Sequence, residues 1–205
     1  MNYALIPTLL IAAFLFAIGS GVGRKPGNPK FCLLLAPGIL LAIPGIVFAL
    51  YYFKIFGEPI WLYEFRSAPF SELIASGAGF LAGLLNGKLA PNEKFRRIAG
   101  RPFFAGALVI GLIIPYLKPI VLRPRWNEFR NNWSDGVCLQ SSESSCGPAC
   151  VTTLLRLRGQ TVTEQEIARA CFTSRTGTEN WYLARTLRER GLSVQFVLQT
   201  NLAEP

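Results

Sequence analysis

Before Val121 the apolar residues fall in long unbroken runs, and after Arg123 they recur in short periodic groups between charged and polar residues. Residues 3–22 and 31–53 contain no charge at all. Each run is near the roughly 20 apolar residues that a helix needs to cross a hydrocarbon core. Residues 69–86 form a shorter run, rich in glycine and carrying Glu72, which makes it the weakest of the set. Residues 102–117 are uncharged and lead through Lys118 into a further apolar stretch at 119–122, long enough to span where the lysine stem snorkels to the interface. The pattern predicts about four transmembrane helices over residues 1–122. Pro7, Pro37, Pro44 and Pro115 inside these runs would kink soluble helices, but membrane helices tolerate proline when neighbours satisfy the freed carbonyls.

The periodic part of the chain reads differently. Residues 123–136, with Trp126 and Trp133 among polar neighbours, are expected to be an interfacial linker, followed by a compact domain over 137–205. Ala149, Val151, Leu154, Leu155 and Leu157 recur at helical spacing over 146–158, and Gly159 stands where a helix stops. Thr163 and Glu166 have the spacing of a capping box, opening a short helix through about Ala170. After a turn at 173–177, Thr178 is placed to cap a third helix running through Trp181, Leu183, Ala184 and Leu187 to Arg190, with Gly191 as its stop. Val194, Phe196 and Leu198 alternate with other residues over 193–198, which predicts a strand.

Composition supports a chain in two solvents. Hydrophobic residues make up 51% and charged residues 16%, a balance expected of a membrane protein. No Lys or Arg precedes the first run, so it is expected to be a retained anchor and not a cleaved signal. The net charge of +9 does not imply nucleic-acid binding, because the basic residues flank the apolar runs and no recognition motif accompanies them. The first and third loops hold eight basic residues, against six in the second loop and after the last run. That excess weakly places both termini outside the cytoplasm. Trp61, Tyr63 and Phe65 in the second loop suit a membrane–water boundary, and equally ordinary loop packing.

The chemistry is concentrated in QSSESSCGPAC, Gln140 to Cys150. Cys146 lies at the predicted start of a helix, where unpaired amides and the positive end of the dipole favour a thiolate. An attacking thiolate also needs donors for the oxyanion it creates. The side-chain amide of Gln140, together with the amide of Cys146, could supply them.

Gln140, the six-residue step to Cys146 and the CGPAC that follows resemble the C39 family of papain-like cysteine peptidases, which remove double-glycine leaders from bacteriocin and other peptide precursors. The likeness continues through Gly159 and TEQEIARACFTSRTGTENWYLARTLRERGL to about Leu198. It implies Cys146 as nucleophile, Gln140 as oxyanion-hole donor and Cys150 as a buried helix residue without a catalytic role. It also implies a histidine base and an orienting aspartate on later strands. The chain contains no histidine, so the dyad is incomplete within it, and truncation of a longer peptidase is the simpler expectation. No G-x-x-x-x-G-K-[ST] loop is present, so ATP binding does not follow from the resemblance.

The expected architecture is therefore a multi-span α-helical membrane region followed by a partial α+β papain-like cysteine peptidase domain. The expected activity is peptide-bond hydrolysis through a thioester on Cys146, with a non-catalytic peptide-binding module on a membrane anchor as the alternative. No cofactor is expected. Cys138, Cys146, Cys150 and Cys171 lack the paired knuckles of a zinc site, so no metal is expected either. Expected partners are a peptide or protein substrate, in the family one with a double-glycine leader, the lipid bilayer, and a transporter or other chain supplying missing elements. The expected location is a bacterial plasma membrane.

Overall fold

The computed structural model describes residues 5–24, 30–52, 55, 57, 59–89, 118 and 121–197. The fourth predicted span, at 102–117, and Leu198 lie outside the described residues. Two compact units are present. One contains helices α1 (Leu5–Gly23), α2 (Lys30–Tyr52), α4 (Ser71–Ala75) and α5 (Ala78–Leu89). The other contains α3 (Ile60–Ser67), a 3-10 turn at Trp126–Glu128, the strands β1 (Trp133–Ser134) and β2 (Val137–Cys138), and helices α6 (Cys146–Leu157), α7 (Glu164–Ala170) and α8 (Asn180–Glu189).

In the apolar unit, α1 and α2 have 19 and 23 residues, or about 28 and 35 Å at 1.5 Å per residue. Among the described residues these are the two helices long and apolar enough to cross a membrane singly. α2 continues through Pro37 and Pro44. The third predicted span is helical but interrupted at Ser76 and Gly77, between α4 and α5. Gly79, Gly83 and Gly87 on α5 lie against the backbone of Ala12, Phe16 and Ser20 on α1, so closely that a Cβ would collide with those carbonyls. Gly19 and Gly23 approach α5 in the same way, against Phe80 and Leu84. The contacts ascend together in both sequences, so the two helices are parallel. Small residues four apart let helix backbones meet without side chains between them, which is how helices associate where lipid offers no hydrophobic drive. Within this contact the Asn86 amide donates to Ser20 Oγ at 3.3 Å.

The second unit contains a hairpin. Trp133 pairs with Cys138 and Ser134 with Val137, and Asp135 and Gly136 between them both have positive φ (48° and 81°), as a two-residue type I′ turn requires. Residues 123–136 are thus not a bare linker. Gln165 donates to Trp126 O at 2.9 Å, and the guanidinium of Arg156 stands 4.0 Å above the Trp133 ring. Lys118, expected at the interface, donates to Glu179 at 2.7 Å.

Pro148, Ala149, Val151, Thr152 and Leu155 form the buried face of α6. The capping box of α7 is present: Glu166 N donates to Thr163 Oγ1 at 3.2 Å and Thr163 N to Glu166 Oε2 at 2.8 Å, which holds the Glu166 carboxyl below the usual range. α6 and α8 stop at Gly159 and Gly191, both with positive φ. Thr178 does not cap α8. Its hydroxyl is taken up by Thr173 at 2.7 Å, and the N-cap is Glu179, without a side-chain cap bond.

One further expectation is corrected next to α3. The described part of 193–198 is not a strand, because no second strand lies alongside it among the described residues. Side chains satisfy its backbone instead: Phe196 N donates to Glu64 Oε1 at 3.2 Å, and Arg188 donates to Val194 O at 2.6 Å. Of the two readings open for Tyr63, the structure shows packing: it is 8% exposed and lies between Trp181 (5.7 Å) and Phe196 (5.3 Å). The last carbonyls of α3, which have no partner within a helix, receive Arg185. Its guanidinium donates to Arg66 O at 2.6 Å, Ala68 O at 2.9 Å and Ser67 O at 3.4 Å. Arg188 pairs with Glu64 at 2.6 Å.

Replacing Arg185 by methionine is expected to weaken α3 docking by roughly 2–4 kcal/mol, since hydrogen bonds to charged groups contribute about 1.5–3 kcal/mol and buried acceptors would be left unmet. Amide exchange over Ile60–Ser67 should accelerate at least about tenfold while α6 is unchanged. Equal protection of α3 in both proteins would contradict this.

Candidate active site

Cys146 is the first residue of α6 and its side chain is exposed. The helix can begin there because of the two residues that follow. A Cβ on Gly147 would meet Leu183 Cδ1 at 2.8 Å, so glycine lets the start of α6 seat against α8. Pro148 falls in the first turn, where its missing N–H breaks no helical bond. The first helical bond is Ala149 N to Ser145 O, at 2.9 Å. Among the described residues the amides of Cys146 and Gly147 make no backbone hydrogen bond, which leaves two donors beside the thiol.

The approach to Cys146 is a serine turn closed on itself. Ser145 is fully buried; its Oγ accepts from Ser142 N at 2.9 Å and donates to Ser142 O at 3.0 Å. At the upstream end stands Gln140, exposed and without a hydrogen bond among the described residues. No hydrogen bond joins Gln140 to Cys146.

Glu164 was given no role by the sequence, yet it holds this segment. It is fully buried, with Oε1 accepting from Ser141 N at 2.9 Å and Oε2 accepting from Ser141 Oγ. Ser141 Oγ also accepts from Arg130 N at 2.9 Å, and Glu164 N donates to Asn131 Oδ1 at 3.3 Å. An unmet buried polar group costs about 1–3 kcal/mol, so both carboxyl oxygens being bonded is what permits this burial. The signal available in the sequence was that a capping box needs one acidic residue and TEQE offers two.

The thiols divide into two sets. Cys138 and Cys171 are buried, and desolvation pushes their pKa values up to about 11 and about 12. The carboxylate of Glu164 raises Cys138 further, whereas a hydrogen bond of 3.2 Å to Thr186 partly offsets the rise at Cys171. Cys146 and Cys150 are exposed. The burial expected of Cys150 is therefore wrong: it lies one turn from Cys146 on the face opposite Ala149, Val151 and Leu155, in line with the exposed Leu154 and Leu157.

An open cleft of about 400 Å³ adjoins the serine turn, lined by Arg125, Glu128, Ser141, Ser144 and Arg175 among others. Neither Gln140 nor Cys146 lines it. Among the described residues no group of three or more Cys, Asp or Glu side chains could hold a metal. An accessible thiol at a helix start beside two backbone donors is suited to nucleophilic attack on a carbonyl.

Residues 134–203 match the Peptidase C39 family. No curated protein matches the chain, and no solved structure does. The C39 match begins within the hairpin and includes Gln140, Cys146 and Glu164. It supports a function of the cysteine-peptidase type. The C39 region is a mixture of helices with one small sheet.

The raised thiol of Cys171 links stability to pH. Its folded pKa lies above the ordinary 9.0, so the contribution is complete below pH 9 and is lost as pH rises towards 12, because only the unfolded chain then releases the proton. The loss is about 1.4 kcal/mol per pH unit in that window. Unfolding measured from pH 8 to 11 should therefore fall less steeply for Cys171→Ala than for the unaltered chain; identical slopes would contradict the assignment.

Proposed function

We propose that the C39 region is the nucleophile-bearing portion of a leader-processing cysteine peptidase, anchored in a membrane by the apolar helices. The observation that carries this reading is the exposed Cys146 thiol at the start of α6, behind a fixed turn and within the C39 match. In the proposed reaction Cys146 Sγ bonds to the carbonyl carbon as the C=O π electrons move to oxygen. The oxyanion accepts from the Gln140 side-chain amide and the Cys146 amide. Collapse expels the amine and leaves a thioester, which water hydrolyses.

Expulsion of the amine requires a proton, and none of the 205 residues is a histidine. The base and acid therefore come from a histidine beyond these residues, in further chain or in a partner such as a transporter. The substrate is a peptide with a double-glycine leader. The four-span anchor, a bacterial plasma membrane and a tail outside the cytoplasm belong to the same proposal. The absence of histidine favours one other reading, a module that binds the leader without cutting it.

Cys150 is an internal control, being also exposed and one turn away on the same helix. A Gly-Gly chloromethyl ketone peptide is expected to alkylate Cys146 at least about ten times faster than Cys150 in the full chain in detergent, as dipole and donors act on the first turn only. Mass mapping of the adducts reads the ratio. Equal rates at the two thiols would remove the nucleophile assignment.

A further inference from the structure

We infer that Glu164 is a positioning residue for the oxyanion donor: it fixes the point at which the Gln140 side chain leaves the backbone. The inference rests on the peptidase reading of Cys146 and Gln140. Ser141, the residue directly after Gln140, is bonded to Glu164 twice, through its amide at 2.9 Å and through its hydroxyl. The same hydroxyl ties in Arg130 N, and the amide of Glu164 is held by Asn131, so Ser141 and Glu164 are both tied to the segment at 130–131 behind Gln140. Downstream, the reciprocal bonds of Ser142 and Ser145 fix the other end of the turn. Leu139, whose amide donates to Asn132 O at 2.8 Å, and Ser141 thus bracket Gln140, whose own side chain makes no hydrogen bond among the described residues. Glu164 is fully buried, so it can reach neither substrate nor thiol through solvent and acts through Ser141.

A peptide aldehyde ending in Gly-glycinal tests this without requiring turnover. The Cys146 Sγ–H adds across the aldehyde: the Sγ–C bond forms, the π bond breaks, and the thiol proton passes to the carbonyl oxygen, with no redox change and no leaving group. The resulting hemithioacetal oxygen occupies the oxyanion position and reports on Gln140. Affinity is read in the full chain in detergent, from protection of Cys146 against iodoacetamide. The alkylation rate without aldehyde reports on the thiol alone.

Removing an oxyanion donor typically costs about 100-fold or more in rate, so a displaced donor should be readily measured. Glu164→Ala is expected to weaken aldehyde binding at least about tenfold, with the iodoacetamide rate at Cys146 changed by less than about twofold. Glu164→Gln, which keeps an acceptor for Ser141 N, should fall between the two. The double variant Gln140→Ala/Glu164→Ala should bind no more weakly than Gln140→Ala, because both act on one donor. Cys138 and Cys171 should stay protected from alkylation, which separates positioning from loss of the fold. If Glu164→Ala exposes those two thiols, Glu164→Gln and Ser141→Ala carry the test, each expected to weaken binding with the fold intact. Unchanged aldehyde affinity in the folded variants, or additive losses in the double variant, would overturn the inference alone. Failure of the unaltered chain to capture the aldehyde would overturn the peptidase reading and this inference with it.

Discussion

A carboxyl group with no access to water has to find donors inside the protein, and the segment before Cys146 has the conformation that supplies them to Glu164. Ser141 gives an amide and a hydroxyl, and the hydroxyl is itself oriented by Arg130 N. Asn131, held at a positive φ of 51°, turns its side-chain oxygen to the amide of Glu164 at the start of α7. The hairpin follows from Asn131 and Asn132, with Leu139 N donating to Asn132 O at 2.8 Å. Cys138 N then donates to Thr153 Oγ1 at 2.9 Å, tying the hairpin to α6. α6, the helix that carries the thiol, is thus the last member of a set of bonds that begins at one buried side chain.

The same rule about unmet polar groups explains α3. A helix of eight residues ends with carbonyls that have no internal partner, and a buried end needs donors from elsewhere. Arg185 provides them from α8, where it is 9% exposed. Arg188, one turn further on, bonds to both Glu64 and Val194 O, so one guanidinium joins α3 to the extended run after α8. A segment lying between two apolar runs in sequence has in this way become part of the unit that contains the C39 match. Its attachment is electrostatic at the edges and aromatic in the middle, with Tyr63 against Trp181 and Phe196.

What the sequence disclosed was local. The capping box, the two glycine stops and the helix beginning at Cys146 each depend on residues within one turn of one another, and each is present as expected. What it hid depends on partners far along the chain. Alternation over 193–198 satisfied the period of a strand but could not supply a second strand, and side chains from α3 and α8 took its backbone groups. Burial of Cys150 was implied by the family resemblance alone and not by the helical pattern, and the structure leaves it exposed. The glycines of α5 were read as weakening a span, whereas in the structure they are its contact surface with α1. Glu164 was hidden for the same reason: its partner is 23 residues away, and nothing local marks it as buried.

In the peptidase reading, the exposure that makes Cys146 accessible also limits what it can do. Water around the thiol screens the helix dipole and the amide donors, and their electrostatic contribution is much larger in a dry site. The helix dipole can favour a thiolate, but it has no proton to give to a departing amine. Cys146 begins an exposed line along α6 that continues through Cys150, Leu154 (46% exposed) and Leu157 (74% exposed). Any surface that brought an imidazole within reach of the thiol would lie over the head of that line and exclude water from it. The covering that delivers the proton carrier would therefore lower the local dielectric in the same step, so nucleophile activation and leaving-group protonation would be acquired together, on a turn whose geometry is already fixed.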